Sequence, residues 1–162
     1  MQALLSFEQA PPIAAPFRFF LTAPLFAILA GTLLLWSGPE LLASRWTPSA
    51  LALTHLITVG FMLQVMLGAM IQILPVVAGA NMARPLLLSS LVHAAIVPGA
   101  LLLTAGLLTS QPFVLRLAVL LLGIGIALFL GAAGHALVGV RSTNPTIQGL
   151  KLALIGLAVT AG

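Results

Sequence analysis

One uncharged stretch of the chain, from Thr47 to Ala83, restricts the fold more than any other feature. It is longer than one membrane crossing requires, because about 20 apolar residues span the hydrocarbon core as a helix. Of all 162 residues 61% are hydrophobic and 5% are charged, and the mean hydropathy is +1.24. A water-soluble domain cannot cover so much apolar surface with so little charge. The sequence therefore predicts an all-α fold, a polytopic transmembrane bundle of about five helices.

The composition also argues against several classes of function. The chain has no Cys, which disfavours disulfides, iron–sulfur clusters and haem attached through thiols. The absence of Cys does not argue against haem that is bound non-covalently. The net charge of +4 comes from separated basic residues, and no run of Lys or Arg could follow a phosphate backbone. Nucleic acid is therefore not an expected partner.

Proline, glycine and polar residues divide the apolar sequence into helices. Residues 1–16 contain three prolines and are expected to form an extended N-terminal arm, followed by a single transmembrane domain over residues 17–162. The last helix has only about sixteen residues before the end of the chain, too few to cross comfortably, so the domain is expected to be incomplete at its C-terminus. The predicted helices are Phe17–Trp36, Pro48–Leu74, Leu86–Leu108, Phe113–Val140 and a segment that starts near Ile147.

The basic residues predict the orientation of the bundle in the membrane. Arg45 and Arg116 fall on the side opposite the N-terminus. Short loops rich in Lys and Arg stay in the cytoplasm, so the N-terminus is expected to be cytoplasmic. The basic residues on the side of the N-terminus are Arg18, Arg84, Arg141 and Lys151.

His55, about seven residues into the second helix, is the main candidate site residue. An ionisable side chain inside a membrane indicates function, and this one is expected roughly 10 Å below the surface. At about 100° per residue, Met62 and Met66 fall within about 20° of His55 on a helical wheel. One imidazole for iron, followed by thioethers that pack on a porphyrin, is the pattern that a haem requires. The alternative is a neutral interhelical histidine beside methionines that fill the core.

The opposite side of the same helix carries a row of small and amide residues. We interpret this row as a helix-packing face with interhelical hydrogen bonds rather than as a substrate site. A copper ion bound by His55 and both methionines is excluded, since residues seven and eleven apart are separated by roughly 10 and 16 Å along a helix. The row consists of Gly60, Gln64, Gly68 and Gln72.

The other two histidines, His93 and His135, are weaker metal candidates. His93 follows two serines in the third helix, and His135 continues a repeat of small residues in the fourth, Gly123, Ala127 and Gly131. That repeat predicts a face on which a neighbouring helix approaches closely. Both histidines belong to the half of the membrane opposite His55, so neither is expected to be its second axial ligand. They could pair at a second metal site, or each could be a satisfied interhelical histidine.

The stretch from His55 to Gly79 contains Gly68 near mid-helix and ends with Pro75-Val-Val-Ala-Gly79. It resembles the haem-ligand helices of the haem–copper oxidase subunit I superfamily, in which a periplasmic-side His precedes a mid-helix Gly and a Pro-x-x-x-Gly exit. The segment Pro16-Phe-Arg-Phe-Phe-Leu21, before a helix ending in Trp36, is similar to the start of NnrS-type proteins. Those are multi-pass proteins with haem and copper, connected with nitric oxide metabolism. The resemblance covers residues 16–95, roughly half the chain.

The resemblance implies that His55 is an axial ligand of a low-spin, non-covalent haem b in a bacterial inner membrane. The trans ligand would come from a later helix or another subunit, and the role would be electron transfer or the handling of nitric oxide or oxygen. Leu53 stands where the oxidases have a further histidine, and the chain has no Tyr. Oxygen reduction is therefore not assigned to this segment, and copper has no ligand set in it.

Two functional interpretations thus remain from the sequence. In the first, the protein is a haem protein related to oxidoreductases. In the second, it is a cofactor-free transporter or membrane assembly subunit, in which the glutamines and histidines only join helices. The partners expected in both are the lipid bilayer and other transmembrane helices or subunits, including a second copy of the chain.

Overall fold

The computed structural model describes residues 10–138, 140 and 145–161, and this part of the chain forms five helices and no strand. Four helices, α1 to α4, are long and apolar enough to cross a membrane, whereas α5 is shorter. The all-α membrane fold is confirmed. The helices are α1 Ala14–Ser37, α2 Pro48–Ala78, α3 Pro85–Thr109, α4 Pro112–Leu137 and α5 Pro145–Ala161.

Proline sets the start of most helices. Pro48, Pro85 and Pro112 occupy the first turn of α2, α3 and α4, where the missing backbone N–H has no partner to lose. Thr47 caps α2, because its side-chain oxygen accepts a hydrogen bond from the N–H of Ala50 at 3.1 Å. A short 3₁₀ segment, Gly38–Ala43, joins α1 to this cap.

Two predicted boundaries near the N-terminus and at Val140 differ from the structure. Residues 14–16 of the predicted arm belong to α1, because Pro16 lies in the first turn and costs no helical hydrogen bond there. Residues 1–9 of that arm lie outside the described residues. Helix α4 ends at Leu137, so Val140 follows the helix instead of closing it.

Helix α2 also continues further than its proline predicts. It passes through Pro75 and ends at Ala78. Gly79 then adopts a left-handed conformation, with φ 64° and ψ 15°, which glycine reaches without steric cost. The N–H groups of Gly79 and Ala80 donate to the carbonyls of Pro75 and Leu74 at 3.0 and 3.1 Å. These bonds satisfy carbonyl groups in the last turn of α2. The helix therefore ends at the left-handed Gly79 and not at Pro75.

Helices α3 and α4 form a close antiparallel hairpin. Glycines on each helix receive a large side chain from the other, and a Cβ atom placed on these glycines would lie 2.8–2.9 Å from that side chain. The absence of a side chain is therefore what lets the two backbones approach. The three pairs are Gly99 with Leu122, Gly106 with Leu115, and Gly125 with Ile96.

The face of α4 that the small-residue repeat predicts for close packing is the wrong one. Gly123, Ala127 and Gly131 are exposed, and within the described residues nothing would meet a Cβ atom at either glycine. Helix α4 instead buries Phe129 and Ala133 in the core. Glycine spacing alone does not show whether a neighbouring helix packs on the Gly123 face or on the Gly125 face of α4. In the structure α3 packs on the Gly125 face.

The core lies where α1, α2, α3 and α4 meet. Its fully buried members include Phe19, Leu67, Ile71, Val92 and Phe129. A smaller cluster lies where α1 ends and α2 begins. Large side chains on the outside of the bundle are widely exposed, as expected for helices whose outer surface contacts lipid. The smaller cluster consists of Phe26, Ala30, Leu56 and Ala100.

Candidate functional site

His55 lies near the start of α2, at the point where its α-helical turns give way to a π-helical segment, Leu56–Leu63. The side chain is half-buried. Its Nδ1 atom lies 2.7 Å from the backbone oxygen of Leu51, one turn earlier. A carbonyl oxygen accepts but does not donate, so Nδ1 carries the proton. In the neutral imidazole, Nε2 then holds the lone pair.

The Nε2 atom of His55 is open to a ligand. No residue that the structure describes forms a hydrogen bond with it. Among those residues no buried side-chain nitrogen or oxygen lacks a hydrogen-bond partner, so the unpartnered Nε2 lies at an accessible surface. A histidine that ligates a metal typically donates its other N–H to a carbonyl oxygen, and His55 has this arrangement.

The π segment changes the relation between His55 and the two methionines. In a π-helix each N–H bonds five residues back, so each residue turns by less than the 100° of an α-helix. The predicted angle of about 20° between His55 and Met62 or Met66 therefore loses its basis. Met62 and Met66 are 50% and 53% exposed. They do not fill the core, and half of each side chain is available to something outside the described bundle.

The row on the other side of α2 packs against α1, as its composition predicts. A Cβ atom on Gly68 would lie 3.1 Å from both Phe19 Cβ and the backbone oxygen of Pro16. Gly60 lies against the ring of Phe26. Gln64, between the two glycines, is completely buried. Gly60, Gln64 and Gly68 thus form the α1–α2 interface, whereas Gln72 is only partly buried and its side chain makes no hydrogen bond with the described residues.

A polar cluster, consisting of Arg18, Thr22, Gln64, Ser90 and His93, joins α1, α2 and α3. The amide nitrogen of Gln64 donates to the carbonyl of Gly60 at 2.6 Å. Its Oε1 lies 2.5 Å from the hydroxyl of Thr22, which is also 3.0 Å from Nε2 of His93. Each of the three helices therefore contributes one side chain to a single chain of hydrogen bonds.

The proton positions in this cluster follow from counting donors. Because the nitrogen of Gln64 is used by Gly60, its Oε1 faces Thr22 and accepts. The Thr22 hydroxyl has one proton and three oxygens near it, Gln64 Oε1 at 2.5 Å and the carbonyls of Arg18 and Phe19 at 3.0 and 3.3 Å. Gln64 Oε1 is the nearest and has no other donor among the described residues, so the proton goes to it and the Thr22 oxygen accepts from His93. His93 is therefore protonated on Nε2. The ring also meets Phe19 edge-on, with centroids 5.3 Å apart.

Arg18 extends the cluster toward the end of the bundle where α1 begins. Its guanidinium donates to the hydroxyl of Ser90 at 2.7 Å and to the carbonyl of Ala14 at 3.2 Å. The sequence singled out Gln64 as a residue of the packing row and His93 as a possible metal partner of His135, but it did not predict that the two share Thr22. Thr22 and Arg18 were missed as members of the site. The sequence signal for both was their spacing, because Thr22 follows Arg18 by one turn in a helix with few other polar residues.

The histidines occupy distinct places. Gln64, the α2 partner in the polar cluster, follows His55 by nine positions, on the order of 10 Å along the helix, so His93 lies deeper toward the other end of the bundle. His135 is exposed on the last turn of α4. No group of three or more potential metal ligands is present among the described residues. A metal site shared by His93 and His135 stays a prediction, and His93 already has Thr22 as its partner.

A comparison of the chain with protein-family models, curated proteins and solved structures finds no match.

Proposed function

We propose that the protein binds haem b within the membrane and that His55 supplies one axial ligand, for electron transfer or for handling a diatomic gas. The main support for this proposal is the hydrogen bonding of the His55 ring. Nδ1 donates to Leu51, and Nε2 is unpartnered and accessible. Haem iron in many proteins takes a histidine nitrogen as its axial ligand, and that nitrogen must hold a lone pair.

The residues around His55 are compatible with a haem in their chemistry. The Leu51 carbonyl fixes the ring in one tautomer and one orientation, which raises the basicity of Nε2. Met62 and Met66, half-exposed further along α2, stay proposed porphyrin contacts for the softness of their thioethers, without the shared helical face that a regular α-helix would give them. When bound, the haem supplies a one-electron carrier or a site for a small gas. The second axial ligand would come from a later helix or another subunit.

The setting of this proposal is a bacterial inner membrane with the N-terminus in the cytoplasm. The distribution of Lys and Arg supports this orientation, since one end of the bundle has Arg18, Arg84 and Lys151 among the described residues and the other has Arg45 and Arg116. His55, near the start of α2, would then lie toward the periplasmic side.

The test is the absorption spectrum of protein purified from a host that supplies haem. A haem with two axial histidines gives sharp bands on reduction. His55→Ala should remove these low-spin bands. His135→Ala is the matched control, since it removes an exposed histidine of another helix, and it should leave the band positions unchanged. Bands that survive in His55→Ala would overturn the assignment of the ligand.

A second candidate function is a cofactor-free transporter or assembly subunit. The polar cluster favours it, because Thr22, Gln64 and His93 join three helices without a cofactor. The same preparation distinguishes the two candidates. Protein that folds in the haem-competent host and carries no haem would decide for the second.

A further inference from the structure

Two cavities adjoin at the end of the bundle where α1 ends and α2 begins. The first is an open groove of about 360 Å³ between α1, α2 and α3, with an almost entirely apolar lining that includes Leu29, Leu56 and Leu101. The second is a polar cavity of about 520 Å³. Leu33, Trp36 and Leu108 line both cavities, so an apolar and a polar cavity lie side by side. The polar residues of the second cavity are Ser37, Glu40, Thr47 and Ser49.

Glu40 gives the polar cavity an unusual charge for this protein. The whole sequence contains two acidic residues, Glu8 and Glu40, and the net charge is +4. Glu40 forms no hydrogen bond or ion pair with the part of the chain that the structure describes. Arg45, on the same loop, lies with its guanidinium 5.0 Å above the ring of Trp46 instead of pairing with Glu40. The cavity thus presents a carboxylate that is free to accept from a bound group.

The dimensions of the apolar groove correspond to part of a lipid chain. Along α1 it extends from Leu29 to Trp36, a rise of roughly 10 Å. One leaflet contributes about 15 Å of the hydrocarbon core, so the groove starts at the polar end and stays within a single leaflet. A molecule that occupied both cavities would have a polar head at the helix ends and an apolar chain along the bundle.

We propose that this site binds an aminophospholipid, with its primary ammonium at Glu40 and one acyl chain in the groove. An ionised carboxylate accepts hydrogen bonds and carries negative charge, so it selects a headgroup that donates and is positive. A primary ammonium satisfies both conditions, whereas a quaternary ammonium has the charge but no N–H. The site does not use His55, so it stands or fails independently of the haem proposal.

The test is native mass spectrometry of the detergent-purified full chain with defined lipids. Phosphatidylethanolamine, phosphatidylcholine and phosphatidylglycerol with identical acyl chains are added at equal concentration. Phosphatidylethanolamine should be retained about fivefold better than the other two, the factor that one exposed ion pair supplies. Glu40→Gln should remove this preference while still binding lipid. Equal retention of the three lipids by the unaltered protein, or an undiminished preference in Glu40→Gln, would overturn the proposal.

A second pair of variants tests the groove independently of the charge. Ala105 is exposed and lines the groove, so Ala105→Phe should fill it and lower the retention of all three lipids. Ala94 is an exposed alanine further toward the start of α3, and Ala94→Phe is the matched control. Equal lipid retention by the two variants would show that the acyl chain does not lie in this groove.

Discussion

His55 and His93 are both half-buried histidines inside transmembrane helices, yet their surroundings differ in kind. His55 bonds only to Leu51 of its own helix and leaves Nε2 open. His93 uses Nε2 to reach Thr22 on α1, and through it Gln64 on α2. Two histidines inside the membrane can therefore have different roles. What decides the role of each is which nitrogen the neighbouring helices already occupy.

The difference follows from the packing around each residue. The polar cluster lies at the α1–α2 interface, where Gly60 and Gly68 allow close approach and bring side chains from three helices together. His55 lies at the start of the π segment, where the hydrogen-bond pattern of the backbone changes. A π segment is common at functional sites, since it moves side chains out of regular register. The first region holds helices together, and the second presents an unused lone pair.

The largest expected effect comes from breaking the interface that assembles the polar cluster. Gly68→Leu would place a side chain where a Cβ atom already lies 3.1 Å from Phe19 and from the backbone of Pro16. The cost of such overpacking is about 1–3 kcal/mol or more, because the backbone of α1 cannot yield locally. The yield of monodisperse protein in size-exclusion chromatography should fall severely.

Val65→Leu is the control for this substitution. Val65 is half-buried on the same helix and lies outside the row of small residues. It should give nearly normal yield. Equal yields for the two variants would mean that the Gly68 face is not the α1–α2 contact. Close packing of α1 and α2 would then not explain why His93, unlike His55, has partners on other helices.

A smaller effect is expected from removing one hydroxyl. Thr22→Val keeps the shape of the side chain but leaves Gln64 without a donor and His93 without an acceptor. The free energy of unfolding should fall by about 1–2 kcal/mol, since groups in a membrane recover some partners when unfolded. Denaturant unfolding in mixed micelles, followed by circular dichroism, measures this loss.

Thr104→Val is the matched control for Thr22→Val. Thr104 is likewise half-buried in a transmembrane helix, but its hydroxyl bonds only to Ala100 of the same helix, at 2.9 Å. Its replacement should change stability by less than about 0.5 kcal/mol. If the two variants unfold at the same denaturant concentration, the polar cluster does not stabilise the bundle.

The sequence predicts the helices well because prolines and long apolar runs mark them. Pro48 begins α2 as predicted. The predicted starts at Leu86 and Phe113 come one residue after the observed starts at Pro85 and Pro112. The sequence also predicts Gly60, Gln64 and Gly68 as part of a packing face, since small and amide residues that recur every four positions suit close helix contact. The interhelical hydrogen bond expected of Gln72 is absent from the described residues.

Other features depend on which helices become neighbours, and sequence periodicity does not contain that information. The choice between the Gly123 face and the Gly125 face of α4 is one example. The partnership of Thr22 with Gln64 and His93 is another, because it joins three helices. The π segment after His55 departs from the 100° spacing on which the helical wheel of α2 relied.

Restoration of the haem spectrum by free imidazole is the sharpest test of whether His55 is the axial ligand of the haem. His55→Gly would remove the proposed ligand and leave space for an added imidazole, and His93→Gly would do the same at the histidine that Thr22 occupies. His55→Gly should lose the low-spin reduced bands and regain them when imidazole is added, whereas His93→Gly should keep them throughout. Low-spin bands that persist in His55→Gly without imidazole, or that disappear in His93→Gly and return with imidazole, would contradict this assignment of the ligand.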